Sequence, residues 1–360
     1  MRIRVLIAAS STAVVLVAGC SGSGSEGEPE PGLSTAAAAP PTAGSPTGGP
    51  PAGGPGERRA DGAELLYRAG GTKSAQNPAF APDGASVLVT EFAEGYNKGA
   101  AALGVLPVEG DRTLRKVLED PDKAAVNLPG TSWNAAADAF AFATDRDGGH
   151  DEVWTMKPGG TPERVTRHDD DSGFNEPSFS PDGEWIVFQQ SWEPEHASVH
   201  GDSAEQDSIW KVRRSGGAPV RLVDGKGTKT DNRQPNWSPK GDRIVFQRRD
   251  AGSESWALWT VGADGTGLRR VTDSPGEHTD ATWSPDGRHL VFSSNAGTLA
   301  NAQVFVVAAD GGEPVRVTRN DGSYDGAPSW SPDGKWIAFE SSPGGESNPA
   351  ALWRIPAPSL

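Results

Sequence analysis

The chain has 360 residues, with 33 Lys and Arg against 48 Asp and Glu and a formal net charge of -15. This acidity argues against nucleic acid as a partner, because a phosphate backbone is held by dense clusters of Lys and Arg. It favours cations or basic groups instead. Cys20 is the only cysteine, so neither an intramolecular disulfide nor a cysteine-based metal site can form.

The first twenty residues have the layout of a secretory signal. A positive start is followed by an apolar stretch, residues 5–17, that is too short to span a bilayer. The segment ends in Val-Ala-Gly-Cys20, which resembles the lipobox of bacterial lipoproteins. The resemblance implies that residues 1–20 are a lipoprotein signal peptide and that Cys20 carries a lipid anchor at the extracytoplasmic face of the cell membrane. The alternative is a cleaved signal that happens to end near a cysteine.

Residues 21–60 consist almost entirely of Gly, Ser, Pro, Ala, Thr and Glu, without apolar periodicity. A segment of this composition cannot bury enough apolar surface to offset the entropy of ordering it. We therefore expect a disordered linker over residues 21–60, which holds a folded domain, residues 61–360, away from the membrane.

One phrase recurs six times from residue 61 onward. It consists of an aromatic residue, then Ser-Pro-Asp-Gly or a near copy, then a short apolar run. The aromatic residues, which we call the anchors, are Phe80, Trp133, Phe179, Trp237, Trp283 and Trp330. They lie about 50 residues apart on average, a period that indicates a propeller or a solenoid. The copy at Trp133 is worn, and the copy at Trp237 reads Trp-Ser-Pro-Lys-Gly.

Each repeat is predicted to supply four strands. Ser, Pro and Gly occupy the places that a type I turn prefers, and the run after the turn, such as residues 185–188, is apolar throughout, as in a strand buried on both faces. Too few residues follow Trp353 for a fourth strand in the last repeat, whereas residues 65–67 precede the first anchor at the spacing of a fourth strand. The sequence therefore predicts an all-β, six-bladed β-propeller with four-stranded blades, closed by the N-terminal strand joining the last blade.

The repeats resemble the WD40-like (PD40-type) repeats of TolB-like propellers over nearly all of residues 61–360. The resemblance implies the fold more than the function, since related propellers serve in transport, in peptidases and in sugar lyases. The periplasmic TolB protein has an additional α/β domain before its propeller, and residues 21–60 cannot form one. A TolB-like role in an outer-membrane tethering complex is therefore not expected.

Candidate binding residues follow from the repeat. The residues three before the anchors should point at the mouth of the central channel. They are Asn77, Gly130, Glu176, Gln234, Asp280 and Ala327, and His278 and Asp325 lie two residues further out. Two interpretations stay open: a net-acidic mouth that binds a cation, an amine or a basic peptide segment, or a water-filled channel whose polar lining satisfies backbone groups. We take Asn77, Glu176, Gln234, His278, Asp280 and Asp325 as the candidates.

The third blade carries an insertion of about nine residues after Trp192, rich in His and carboxylates. His196 and His200 would need a helix or a folded loop to converge on a divalent metal. Pro194 and Gly201 favour irregular backbone, so the sequence favours a solvated acidic loop.

The chain has no Gly-x-Ser-x-Gly elbow, no Gly-rich phosphate loop and no His-Glu-x-x-His helix. We therefore predict a non-catalytic module without cofactor that presents its variable face to a protein or an extracellular ligand. The alternative is a metal-assisted polysaccharide lyase or hydrolase at the channel mouth. It would resemble the oligogalacturonate lyases, which place metal-binding His and Gln on a propeller face, and His278, Gln234 and Glu176 would take that role.

Overall fold

In the computed structural model of the protein, the described residues are 54–136, 138–192 and 206–360. Cys20, the signal segment and most of the predicted linker lie outside these ranges, and so do His196 and His200. The lipid anchor and the solvated acidic loop therefore stay predictions.

The described chain forms a six-bladed propeller of antiparallel sheets, as the sequence predicts. Blade 1 is β2 (Ser74–Phe80), β3 (Ser86–Phe92), β4 (Ala101–Pro107) and β5 (Arg115–Leu118). Blade 2 is β6 (Phe140–Thr144), β7 (Glu152–Met156) and β8 (Glu163–Arg164). Blade 3 is β9 (Ser172–Phe179), β10 (Trp185–Trp192), β11 (Ser208–Arg213) and β12 (Val220–Val223), followed by a one-turn helix, α1 (Gly225–Thr228).

The remaining blades repeat the same order from the channel outward. Blade 4 is β13 (Thr230–Trp237), β14 (Arg243–Asp250), β15 (Ala257–Gly262) and β16 (Arg269–Arg270). Blade 5 is β17 (His278–Trp283), β18 (His289–Ser294), β19 (Gln303–Ala308) and β20 (Val315–Arg316). Blade 6 is β21 (Ser323–Trp330), β22 (Trp336–Pro343), β23 (Ala351–Pro356) and β1 (Glu64–Tyr67).

Blade 2 departs from the four-stranded pattern where the repeat is worn. Its innermost segment pairs with β6 only through isolated bridges, Val126 with Ala143 and Trp133 with Phe140. The side-chain oxygen of Asn134 accepts the backbone N–H groups of Asp138 and Ala139, at 3.1 and 3.2 Å, in place of the Ser-Pro-Asp-Gly turn. The loss of the turn residues thus coincides with the loss of a regular inner ladder.

The Ser-Pro-Asp-Gly turns hold the first hairpin of a blade through their side chains. In blade 3, the Asp182 carboxylate accepts the backbone N–H of Glu184 at 3.0 Å, and Ser180 Oγ accepts that of Trp185 at 2.9 Å. Short polar side chains that bond backbone N–H groups nearby are the reason these residue types favour turns.

The apolar core of the described chain is divided into six clusters, each between two neighbouring blades. One Phe from the second strand of five blades is completely buried in these clusters. They are Phe142, Phe188, Phe246, Phe292 and Phe339. The anchors Trp237 and Trp283 are 3% and 6% exposed, so the tryptophans of the repeat belong to the core, as predicted.

The N-terminal strand closes the ring, as the spacing predicts. β1 pairs antiparallel with β23, with Leu65 opposite Trp353. Leu65 and Leu66 are fully buried and point into different clusters, Leu65 between blades 5 and 6 and Leu66 between blades 6 and 1. The last two interfaces of the ring therefore depend on a strand from the start of the domain.

The ordered domain begins before residue 61, the predicted border. The backbone N–H of Gly56 donates to Leu65 O at 3.0 Å, and that of Arg59 donates to Ala63 O at 2.8 Å. The Arg59 guanidinium forms two hydrogen bonds with the buried Asp325 carboxylate, both at 3.0 Å. Residues 56–60, which were predicted as linker, thus belong to the folded domain. The prediction is wrong there because it rested on composition, which does not reveal the ion pair that holds Arg59.

The loops divide between two faces. The turn face carries the Ser-Pro-Asp-Gly turns and the turns between third and fourth strands, such as residues 263–267. The loop face carries the blade-to-blade links and the loops between second and third strands, such as residues 93–100. Among the residues that the structure describes, no helix has the length and hydropathy needed to cross a membrane.

Candidate binding site in the central channel

The residues three before the anchors share one backbone conformation. All six have positive φ, at 54° (Asn77), 90° (Gly130), 55° (Glu176), 53° (Gln234), 56° (Asp280) and 47° (Ala327). Left-handed backbone is uncommon for a residue with a side chain. Its recurrence in all six blades therefore indicates that the fold requires this conformation at this position. We call these six residues the bulge ring.

A β-bulge explains the conformation. In each regular inner strand the register with the second strand shifts at this place, for example between Arg233 and Asn236 of β13. Pro235 follows Gln234, and a proline also follows the bulge residue in blades 1, 3 and 6. Since proline lacks a backbone N–H, it suits a place where the ladder is interrupted.

The bulge turns a backbone N–H toward the preceding blade, where a side chain accepts it. Gln234 N donates to Glu176 Oε2 at 2.9 Å, and Asp280 N donates to Gln234 Oε1 at 3.0 Å. Further around the ring, Ala327 N donates to Ser293 Oγ at 3.2 Å, and Asn77 N donates to Glu340 Oε2 at 3.0 Å. The ring is thus laced by hydrogen bonds from blade 3 through blade 6 to blade 1.

Two tyrosines link the acidic members of the channel lining. The Tyr96 hydroxyl, from the β3–β4 loop, donates to Glu340 Oε1 at 2.6 Å. Its ring meets that of Tyr324 edge-on, with the centroids 6.1 Å apart. The Tyr324 hydroxyl lies 3.4 Å from Asp280 Oδ2, which also accepts a hydrogen bond from Ser293 Oγ at 3.0 Å. We call the space bounded by Glu176, Asp280, Glu340 and Tyr96 the channel pocket.

Burial shifts the protonation of two of these carboxyl groups. Desolvation, opposed by the hydrogen bond from Tyr96, raises the pKa of Glu340 to about 8. Desolvation also raises the pKa of Glu176 to about 7, although the charge of Arg233 lowers it. Glu340 is 1% exposed, and the described residues provide no Lys or Arg that pairs with it. Glu340 is therefore a buried carboxyl group without a counter-charge among the described residues.

We expect Glu340 to make folding pH-dependent. The folded state holds its proton to about pH 8, whereas an unfolded Glu has a pKa of 4.5. The stabilising effect of protonation is complete below the unfolded value and is lost as the pH rises through the folded value. Between pH 6 and pH 8, the unfolding free energy of Glu340→Gln should gain about 2 kcal/mol relative to wild type.

Urea denaturation at several pH values measures this difference. The exposed Glu313→Gln serves as the matched control, and its curve should run parallel to that of wild type. Equal pH slopes for Glu340→Gln and wild type would show that Glu340 titrates normally.

The channel is closed below the bulge ring. A Cβ atom on Gly130 of blade 2 would lie 2.7 Å from Asn236 Oδ1 of blade 4 and 2.7 Å from Thr282 Cγ2 of blade 5. The Thr131 hydroxyl donates to the same Asn236 Oδ1 at 3.0 Å. Since three blades meet across the axis here, the channel is blocked at this level, and Gly130 is the residue that permits the close approach.

Four of the six candidates, Asn77, Glu176, Gln234 and Asp280, thus lie together in the bulge ring. The other two do not line the channel. His278 is fully buried, its Nδ1 lies 3.0 Å from Ser294 Oγ and its Nε2 2.9 Å from Ser274 O. Asp325 is fully buried and bonded to Arg59. The bulge interrupts the two-residue alternation of the strand, so residues two before it point into the blade.

Sequence reasoning missed Glu340, Tyr96 and Tyr324. A signal for Glu340 exists, because a polar residue follows the buried Phe of the second strand in blades 3 to 6. These residues are Gln189, Gln247, Ser293 and Glu340. Tyr96 lies in a loop outside the repeat, so no periodicity could indicate it. Within the described ranges, no three His, Cys, Asp or Glu side chains are grouped as metal ligands.

The comparisons with known proteins agree with this architecture. Residues 221–352 match the family model of the TolB beta propeller domain, PD40. The matched segment is thus similar to a TolB-type β-propeller. An uncharacterised protein of Agrobacterium fabrum, Atu1656, is 29% identical over 174 residues, which are 47% of this chain and 50% of that protein. This chain therefore aligns with about half the length of that relative.

Two solved structures superimpose on most of the chain. A putative TolB from Agrobacterium tumefaciens has a TM-score of 0.54 at 19% identity and covers 82% of this chain and 93% of its own. An oligogalacturonate lyase in complex with manganese has a TM-score of 0.55 at 14% identity and covers 84% of this chain and 95% of its own. At these identities the likeness shows the propeller fold.

Proposed function

We propose that this chain is a non-catalytic binding propeller, tethered by lipid at Cys20 to the extracytoplasmic face of a bacterial cell membrane. Its channel pocket receives a positively charged group of a protein partner. The observation that carries the proposal is the pair of buried carboxyl groups, Asp280 and Glu340, which lie beside Tyr324 and Tyr96 in the channel lining and pair with no basic side chain of the described residues.

A buried carboxylate without a counter-charge is unfavourable, so it either takes up a proton or binds a cation. In the free protein Glu340 takes up a proton, since burial raises its pKa to about 8. A Lys or Arg side chain of a partner would replace that proton and would also meet Asp280 and the hydroxyl of Tyr96. Binding is therefore expected to release a proton and to strengthen as the pH rises from 6 to 8.5.

His278 argues against the lyase alternative. Both of its ring nitrogens lie within hydrogen-bond distance of oxygens of blade 5, and burial lowers the pKa of the imidazole. Gln234 and Glu176 are adjacent, with Gln234 N donating to the Glu176 carboxylate. The three residues enlisted for a metal are therefore not presented together, and the binding function is better supported.

Calorimetric titration of the full chain with tri-lysine and with tri-glutamate tests the pocket. Tri-lysine should bind with proton release, measured by comparing buffers of different ionisation enthalpy. The double variant Asp280→Asn/Glu340→Gln should weaken binding by about tenfold or more, as expected when charge-assisted hydrogen bonds are lost. Glu313→Gln should bind as wild type does. Unchanged affinity in the double variant, or equal binding of tri-glutamate, would contradict the proposal.

The lipid tether has a separate test. We expect Cys20→Ser to leave the protein unprocessed or released from membranes, because the acyl chains have no other attachment point in the chain. Fractionation of cells expressing the two forms measures the partition. Equal membrane recovery of both forms would remove the tether from the proposal and leave the pocket untouched.

A further inference from the structure

A second cavity, of about 400 Å³, lies on the turn face between blades 3 and 4. Its walls come from the turn and second strand of blade 3 (residues 180–182 and Trp185), the turn of blade 4 (residues 237–241), Lys211 of β11 and Ala263. None of these residues belongs to the channel pocket. We call this cavity the turn groove.

Lys240, in the turn of blade 4, breaks the pattern of the repeat. The other four well-formed turns have Asp at this place, and each carboxylate accepts a backbone N–H two residues on. These bonds join Asp83 to Ala85, Asp182 to Glu184, Asp286 to Arg288 and Asp333 to Lys335, at 2.9 to 3.1 Å. In blade 4, Ser238 Oγ instead accepts the N–H of Lys240 itself, at 3.2 Å.

The aliphatic stem of Lys240 lies near Gly287 in the turn of blade 5, whereas its ammonium is unpaired within the described residues. Among the described residues, it has no hydrogen bond or ion pair, and the residue is exposed. A residue that departs from the repeat without replacing the hydrogen bond that is lost indicates a functional site. A turn of this type would be better held by Asp than by Lys.

Lys211 supplies a second positive charge to the turn groove. Its Nζ donates to Ala263 O at 2.7 Å and lies 4.7 Å from the centroid of the Trp185 ring. Since an ammonium has three donors, two remain for a ligand. Asp182, the one acid on the groove walls, already accepts hydrogen bonds from Ser180 Oγ and from the backbone N–H of Glu184. The groove is thus locally positive on a chain of net charge -15.

We propose that the turn groove binds the phosphate group of a small soluble ligand, through Lys240 and Lys211. Two ammonium groups match the double negative charge of a phosphate monoester, and lysine binds phosphate as a point charge without bidentate geometry. Trp185 forms an indole wall against which the rest of the ligand lies. We take the ligand to be a free molecule, and the vesicle titration below distinguishes it from a lipid headgroup. This site is independent of the proposed channel function.

Nuclear magnetic resonance on the full chain tests the site. The indole N–H signal of Trp185, assigned with Trp185→Phe, is followed during titration with inorganic phosphate and with glycerol 3-phosphate in chloride of matched ionic strength. We expect a saturable shift with both and none with vesicles of phosphatidylglycerol. Vesicle binding would instead assign the groove to a lipid headgroup and overturn the free ligand. A shift that only rises linearly with concentration would mean an adventitious ion only.

Two matched variants decide the role of Lys240. Lys240→Asp restores the Ser-Pro-Asp-Gly turn and should weaken phosphate binding by about tenfold or more, with a melting temperature equal to or above that of wild type. Asp286→Lys places a lysine in the equivalent turn one blade on and should create no second site. Undiminished binding by Lys240→Asp, or a second site in Asp286→Lys, would overturn the proposal.

Discussion

A chain lacking residues 54–67 should lose at least about 10 °C in melting temperature, or lose its cooperative transition altogether. The reason is the position of β1, whose Leu65 and Leu66 are fully buried in two different blade interfaces. Truncation of either leucine to alanine alone lowers the unfolding free energy by about 2–5 kcal/mol. The deletion also exposes the edge of β23 and leaves the buried Asp325 without Arg59.

The matched control removes residues 21–52, which keeps Cys20 and every described residue. We expect its melting temperature to equal that of the full chain. Scanning calorimetry of the two deletions at one protein concentration measures the difference. Equal transitions for both would mean that β1 is not needed to close the ring.

Arg59→Met is expected to cost about 3–5 kcal/mol of unfolding free energy at neutral pH, the usual effect of leaving one member of a buried ion pair alone. The Arg59 guanidinium binds both oxygens of Asp325 at 3.0 Å and lies 4.9 Å from the centroid of the Trp353 ring. Burial raises the pKa of Asp325, and the hydrogen bonds from Arg59 oppose that shift. Without Arg59, the carboxyl group must take up a proton or remain charged in the protein interior.

A double-mutant cycle separates the pair from the packing of the arginine. Asp325→Asn in the Arg59→Met background should recover part of the lost stability, since an amide carries no charge to bury. The coupling energy should exceed about 1 kcal/mol. Costs that simply add would show that Arg59 stabilises through contacts other than Asp325, such as those with Asp61 and Trp353.

The fold could be predicted from the sequence because each good copy of the repeat contains the residue types that its turn and its strand require. Each good copy places Ser, Pro, Asp and Gly where a hairpin turn needs them, and the run after it is apolar on both sides, as strands between two blades must be. The spacing of residues 65–67 before Phe80 also indicates a fourth strand for the last blade, and β1 pairs with β23. Blade 2 lacks the turn residues, and its irregular inner segment is the one place where the predicted four strands are not found.

The candidate site could be predicted only in part from the sequence. The spacing of the repeat locates backbone positions, but it does not fix the directions of side chains across a bulge. Counting three residues back from each anchor found Asn77, Glu176, Gln234 and Asp280, which share the left-handed conformation. Extending the count by two more residues failed for His278 and Asp325, since the bulge reverses the alternation. Glu340 lies on the second strand directly after its apolar run, and its long-range pairing with Tyr96 has no local signature.

The close approach of Gly130 to Asn236 and Thr282 blocks the channel at the level of the bulge ring. A polymer cannot be threaded through the propeller from the loop face to the turn face, so the partner that we propose would have to offer a free end or the tip of a tight loop. It must also withdraw along the path by which it entered. Release is then governed by how fast that tip can back out past Tyr96, and shortening or enlarging the tip should change residence time more than it changes the rate of capture.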